Sequence, residues 1–171
     1  MHELWRVHSA LGWSLYRLAN YNEALEAFIR SLLLRRGNFF GLYGAGLAYY
    51  QLGQYEHATR FLKQALLFDP SNWDLQLAQG WALLRAEEHE KAISMFGKLV
   101  QERSYMVEPT LGLAIAEYRA KHLLEAKIAL ARGIRLSTEE NWPKEVLEII
   151  NHTPELRKYL EEYLRVEKGT Y

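Results

Sequence analysis

Apolar and polar positions recur along this chain with one fixed period. Ala24, Ala58, Ala92 and Ala126 mark it without insertion, and a large apolar side chain follows each four residues later: Phe28, Leu62, Phe96 and Leu130. That spacing puts both members of a pair on one helical face, pointing into a core. Twelve residues before each alanine stands a small residue, Gly12, Gly46, Gly80 or Ala114. Small residues at this separation suit two antiparallel helices, because only Gly or Ala lets backbones approach closely where helices cross. The segments between predict turns at Ala19-Asn20, Gly53-Gln54, Glu87-Glu88 and Lys121-His122, with Gly53 the one clear helix stop among them. Breakers close the larger units: Gly37-Asn38, Asp69-Pro70-Ser71-Asn72, and Pro109 at the start of the last. A fixed period of this length is the mark of a stacked helical repeat.

Four blocks follow, 5–38, 39–72, 73–106 and 107–140, opening on Trp5, Phe39, Trp73 and Val107. Counted from those residues, the small residue is position 8 and the alanine position 20. The blocks resemble the tetratricopeptide repeat. Its pattern of a small residue at 8, Ala at 20, an aromatic or Leu at 24 and Pro at 32 is met in full by Gly46, Ala58, Leu62 and Pro70, with Tyr49, Gly53, Tyr55 and Ala65 also matching. Departures at Arg36, at Met95-Phe96 with Leu99, and at Ala114 with Gly133 introduce no helix breaker. The resemblance spans 5–140 and implies an all-α, right-handed superhelix (an α-solenoid) of four helix-turn-helix repeats.

Beyond residue 140 the register is lost, and 141–171 are expected to form two C-terminal capping helices of the same domain. Ser137-Thr138-Glu139-Glu140 offers a capping box, and Trp142-Pro143 opens a helix over about 143–151. Thr153-Pro154-Glu155 reads as an N-cap followed by Pro at the first helical position, beginning a helix that runs to Lys168 and stops at Gly169. A solenoid cap needs a polar outer face. Glu161-Glu162, Arg165 and Lys168 supply it, with Leu156, Tyr159, Leu160, Tyr163 and Leu164 facing inward.

Composition narrows the function classes. Lys plus Arg (21) cancels Asp plus Glu (21), and the signs are interspersed, so no basic stripe favours nucleic acid. There is no cysteine, hence no disulfide or Cys-based metal site or nucleophile. No apolar run approaches the length of a membrane helix and no signal pattern opens the chain, which favours a cytoplasmic protein without membrane insertion. His2, His8, His57, His89, His122 and His152 are scattered, without a ligand pair on one helical face, and no Gly-rich phosphate loop is present. Neither an enzyme nor a cofactor is expected.

Positions 2, 5, 9 and 12 of each first helix form a second stripe, which in tetratricopeptide folds lines the concave groove. The first block gives Arg6, Ser9, Trp13 and Tyr16; the second Phe40, Tyr43, Leu47 and Tyr50. The third gives Asp74, Leu77, Trp81 and Leu84; the fourth Glu108, Leu111, Ile115 and Tyr118. A helix apolar on two stripes must bury both or present one to a partner. Between them, position 6 carries small residues, Ala10, Gly44, Ala78 and Gly112, read as a channel floor, with Arg17, Arg85 and Arg119 along one rim. Neighbouring first helices, the C-terminal helix or a second protomer could also cover parts of this stripe.

The carboxylate clamp of chaperone-tail-binding relatives uses Lys and Asn at positions 5 and 9, Asn at 6 of the next block, and Lys and Arg at 2 and 6 of the third. Here those places hold Ser9, Trp13, Gly44, Asp74 and Ala78 or, one block later, Tyr43, Leu47, Ala78, Glu108 and Gly112. No basic clamp residue is present in either register. The expectation is therefore a protein-interaction module, a chaperone or adaptor holding an apolar or amphipathic helix. In size and groove it resembles bacterial secretion-type tetratricopeptide chaperones. The alternative is an assembly scaffold, a homo-oligomer or a piece of a longer array.

Overall fold

The computed structural model describes residues 3–137, 147 and 150–167, and among these the architecture is all-α. The helices are α1 (Leu4–Arg17), α2 (Tyr21–Leu34), α3 (Phe39–Gln51), α4 (Tyr55–Leu66), α5 (Trp73–Arg85), α6 (His89–Glu102), α7 (Val107–Arg119), α8 (Leu123–Leu136) and α9 (Pro154–Glu167). The first eight follow the register of the alanines. Contacts divide the chain into two compact units, one ending at Glu88 and the other beginning at His89. The boundary thus falls within the block expected at 73–106, at the turn between its helices. Trp142-Pro143 and most of the helix expected near 143–151 lie outside the described residues, as do the last three residues of the Ser137 capping box. No described helix is long and apolar enough to cross a membrane.

Each first helix ends in the same way. Asn20 N–H donates to Leu15 C=O and Ala19 N–H to Tyr16 C=O, and matching pairs recur at Gln54/Gly53, Glu88/Glu87 and His122/Lys121. These are Schellman turns, which place the residue after the C-cap in the left-handed region. Gly53 adopts it with φ +73°, and Ala19, Glu87 and Lys121 adopt it with φ 60°, 61° and 69° despite carrying a Cβ. Paired turn hydrogen bonds therefore stop the helix with or without glycine.

The ladder of small and large residues builds the interior. Ala24, Ala58, Ala92, Ala126, Phe28, Leu62 and Phe96 have no exposed surface, and Leu130 has 1 %. In the first unit a Cβ on Gly12 would meet the Phe28 ring at 2.6 Å, and one on Gly46 would meet Leu62 at 2.7 Å. Position 8 is thus the seat of position 24 across the hairpin, as the crossing argument requires.

Position 6 overturns the channel-floor reading. A Cβ on Gly44 would overlap the edge of the Phe28 ring, and in the second unit one on Gly112 would lie 2.7 Å from the Phe96 ring. These glycines are seats for the large side chain of the preceding block, filled by packing. Ala78 packs against the buried cluster that contains Leu62. A Phe at position 24 is followed by Gly at position 6 of the next block, and a Leu by Ala.

α9 caps the fourth hairpin. Leu156 and Thr153 are buried, Tyr159, Leu160 and Tyr163 are half-buried, and Glu161, Glu162 and Arg165 face solvent, matching the two-faced pattern in its described part. The Tyr159 hydroxyl donates to Lys127 C=O at 3.4 Å, and Arg135 Nε donates to the Tyr163 hydroxyl at 3.0 Å.

Candidate partner-binding surfaces

In the first unit the expected groove residues form an aromatic chain along α1 and α3. The Trp13 ring packs edge-on against Tyr16, Phe28 and Tyr43 at 5.9, 5.4 and 5.6 Å, and Tyr43 continues through Phe39 to Phe40. Helical spacing of four brings Phe39 and Tyr43 onto one face of α3, and α3 lies beside α1. Trp13, Tyr43, Leu47 and Tyr50 are half-buried, while Phe40 stands 56 % exposed. The Trp13 indole N–H is shielded from water and has no acceptor among the described residues. Burial pushes the Tyr16 and Tyr43 phenols above their ordinary pKa, with a Gln51 side-chain hydrogen bond partly offsetting this at Tyr16 and the Asp74 carboxylate adding to it at Tyr43. The ladder is a predominantly apolar surface with hydroxyl edges.

Other expected residues are placed differently. Leu77 and Trp81 keep 8 % and 6 % of their surface. Leu111 and Ile115 are interior to the second unit, at 0 % and 1 %, so they do not line an open groove. The reason lies across the hairpin: a Cβ on Gly133 of α8 would overlap Leu111 Cδ2, so Leu111 fills the space that glycine leaves. Positions 5 and 27 of a block therefore face each other. The same pairing in the first block is polar. The Ser9 and Ser31 hydroxyls lie 2.7 Å apart, Asn38 Nδ2 donates to both at 2.7 and 2.6 Å, and Ser31 Oγ donates to Trp5 C=O. All three side chains are buried. Spacing alone assigns Ser9 to the groove stripe; the signal for its true place is Ser31, at the facing position of the next helix.

Tyr118 is engaged within the second unit. Its hydroxyl donates to Glu155 Oε2 of α9 at 2.7 Å, a bond that raises the phenol pKa and lowers that of the carboxylate. Beside it opens a cleft of about 690 Å³, lined by Tyr118, Arg119 and Lys127 from the repeat and Glu155, Lys158 and Tyr159 from α9 among others. The C-terminal helix thus covers the outer end of this stripe, one of the coverings the sequence allows. Arg17 is exposed on the first unit, Arg85 lies 5.6 Å over the Tyr55 ring, and Arg119 borders the cleft of the second. At the α7–α8 turn, His122 Nδ1 lies 2.7 Å from Glu117 Oε2, and that hydrogen bond raises its pKa.

Comparison with known proteins defines the class. A tetratricopeptide repeat family model matches residues 39–72. The fold is similar to MamA (41-end) from Desulfovibrio magneticus RS-1, with TM-score 0.74 and 15 % identity over 97 % of this chain and 96 % of that one. A tetratricopeptide repeat protein from Parabacteroides merdae superposes with TM-score 0.74 and 19 % identity, over 97 % of this chain and 64 % of that one. The second such domain of human RPAP3, determined in complex with the HSP70 peptide SGPTIEEVD, gives TM-score 0.61 and 18 % identity over 68 % of this chain and 98 % of that domain. Residues 39–72 match the tetratricopeptide repeat, and the described residues share the all-α tetratricopeptide-repeat fold. Identities this low carry the fold and leave the partner to the surfaces.

Proposed function

We propose that this chain is a non-enzymatic protein-interaction module, a cytoplasmic chaperone or adaptor. It holds an apolar or amphipathic helical segment against the α1–α3 aromatic ladder. The observation that carries this reading is the half-buried run from Trp13 through Tyr43 to the exposed Phe40 ring. Aromatic groups partly enclosed at a surface are the usual anchors of an interface, each worth upwards of about 2 kcal/mol. Apolar pockets of this kind accept helix anchors at i, i+3/4 and i+7. The RPAP3 domain solved with a peptide supports a polypeptide ligand for the fold. Ser9, Asp74 and Ala78, in place of the basic clamp residues, argue against an acidic tail.

Phe40→Ala tests this reading, because Phe40 is exposed and its loss should spare the fold. Titrating a panel of fluorescent amphipathic helical peptides into the chain should identify a binder, and Phe40→Ala should weaken it by about tenfold or more with unchanged helical circular dichroism. Equal binding by the variant, or no binder in the panel, removes the ladder from the site.

A further inference from the structure

The cleft of about 690 Å³ beside Tyr118 lies wholly within the second unit and shares no residue with the aromatic ladder. Its lining comes from the end of α7, the turn that follows, α8 and α9. Two hydrogen bonds hold α9 in place there, from the Tyr118 hydroxyl to Glu155 Oε2 and from the Tyr159 hydroxyl to Lys127 C=O.

This cleft gathers positive charge that the chain as a whole lacks. Lys plus Arg equals Asp plus Glu over the sequence, yet Arg119, Lys121, Lys127 and Lys158 line the cleft against only Glu155 and Glu162. Two positive charges are in excess. Neither carboxylate answers the cations at the end of α7. Glu155 accepts the Tyr118 hydroxyl, and Glu162 Oε1 lies 3.9 Å from Lys158 Nζ one turn away on its own helix. Lys127 Nζ stands 5.3 Å over the Tyr159 ring. Among the described residues, Arg119 and Lys121 have no carboxylate within ion-pair distance. A face charged only for solubility mixes its signs, as Arg157 and Glu161 do on α9. Like charges gathered in a concave site instead repel one another and focus their field on any anion that enters.

The remaining walls are apolar: the half-buried rings of Tyr118 and Tyr159, and Leu123 at 50 % exposure. The volume is that of a site for one small molecule, for which about 300–1,000 Å³ is usual. Confined to one end of the fourth hairpin, the cleft suits a compact ligand better than an extended chain. We propose that it binds a small organic dianion, a carboxylate or phosphate compound with an aromatic or apolar body. The anionic groups pair with Arg119 and Lys121, and the body lies against Tyr159 and Leu123. This site stands whether or not the α1–α3 ladder holds a helix.

The probe is phenyl phosphate, a dianion at about pH 8 because its second ionisation lies near about 6. Titrated into the isotope-labelled full chain at low ionic strength, it should saturate with a Kd of about 1 mM or below, moving amide signals of the α7–α8 turn and α9. Arg119→Gln and Lys121→Gln should each weaken binding by about fivefold or more, with thermal unfolding unchanged. Glu162→Gln should strengthen it by about twofold or more, a gain that damage to the fold would not produce. Inorganic phosphate, which has no body for the apolar wall, should bind at least about tenfold more weakly. Phe40→Ala should leave all of these affinities unchanged, which separates the cleft from the ladder. Absence of saturable binding, or indifference to both cation variants, overturns the proposal. Equal affinity for inorganic phosphate also overturns it, since the cleft then takes an adventitious ion only. So does a phosphotyrosine peptide that binds more than about tenfold tighter than phenyl phosphate, which makes a polypeptide the ligand.

Discussion

At register positions 5 and 27 the first hairpin sets Ser9 against Ser31, whereas the fourth sets Leu111 over Gly133. The first pair is held by hydrogen bonds that Asn38 completes, and the second by a large side chain in the volume a glycine vacates. The repeat demands complementarity at this crossing and leaves the chemistry free. The two solutions have different dependencies. Buried hydroxyls must all be paired, or each orphan costs the desolvation of a polar group. Asn38 pairs both serines while its Oδ1 accepts the Phe40 N–H at the start of α3, so the polar crossing is coupled to the next block. The apolar crossing answers only to shape.

The largest effect expected on this comparison is that of Leu111→Ala. Removing a side chain with no exposed surface should cost about 2–5 kcal/mol in urea denaturation. A loss below about 1 kcal/mol would mean that the fourth crossing collapses around the gap and that shape matters less than argued. Ser31→Ala at the first crossing should cost less, about 1–2 kcal/mol, because Ser9 and Asn38 keep their own hydrogen bond. Importing the fourth hairpin's pair as Ser9→Leu with Ser31→Gly should cost more than Ser31→Ala alone, since Asn38 Nδ2 then loses both acceptors. The smallest effect lies in the turns, which are common to both hairpins. Ala19→Gly and Lys121→Gly should each raise stability by up to about 1 kcal/mol, and Gly53→Ala should lower it by a similar amount. A gain at only one of the two alanine- or lysine-bearing turns would show that the hairpins also differ in backbone strain.

Much of the fold is legible in the sequence because close packing leaves a periodic trace. The four alanines and the large residues after them mark positions where the helices leave little or no surface exposed, and Thr153-Pro154 marks the start of α9. The turns are legible by position, although only Gly53 announces itself. Ala19, Glu87 and Lys121 take the same conformation because two backbone hydrogen bonds impose it, and backbone bonds leave no side-chain signature.

The candidate site is legible only in part. Helical periodicity tells which residues share a face but not which neighbour covers that face. Spacing puts Trp13 and Tyr43 on one stripe, and they do meet, at the surface of the first unit. The same spacing puts Leu111 on that stripe, yet it is interior, because its covering depends on Gly133 in the following helix. Gly44 and Gly112 look like open floor for the same reason. Their occupants, Phe28 and Phe96, stand upstream in the preceding block.

The seat at position 6 also bears on how such an array can change length. Recombination between repeats removes or copies whole blocks, and every new junction must match a large side chain to the seat that follows it. Removing 39–72 alone would bring Phe28 against Ala78, where a Cβ stands in the place of the ring. Removing 73–106 alone would bring Leu62 to Gly112 and leave a void. Removing both together joins Phe28 to Gly112, the pairing that Phe28 and Gly44 already make. The alternation of seats makes two blocks the smallest internal interval that can be removed or copied without a compensating substitution.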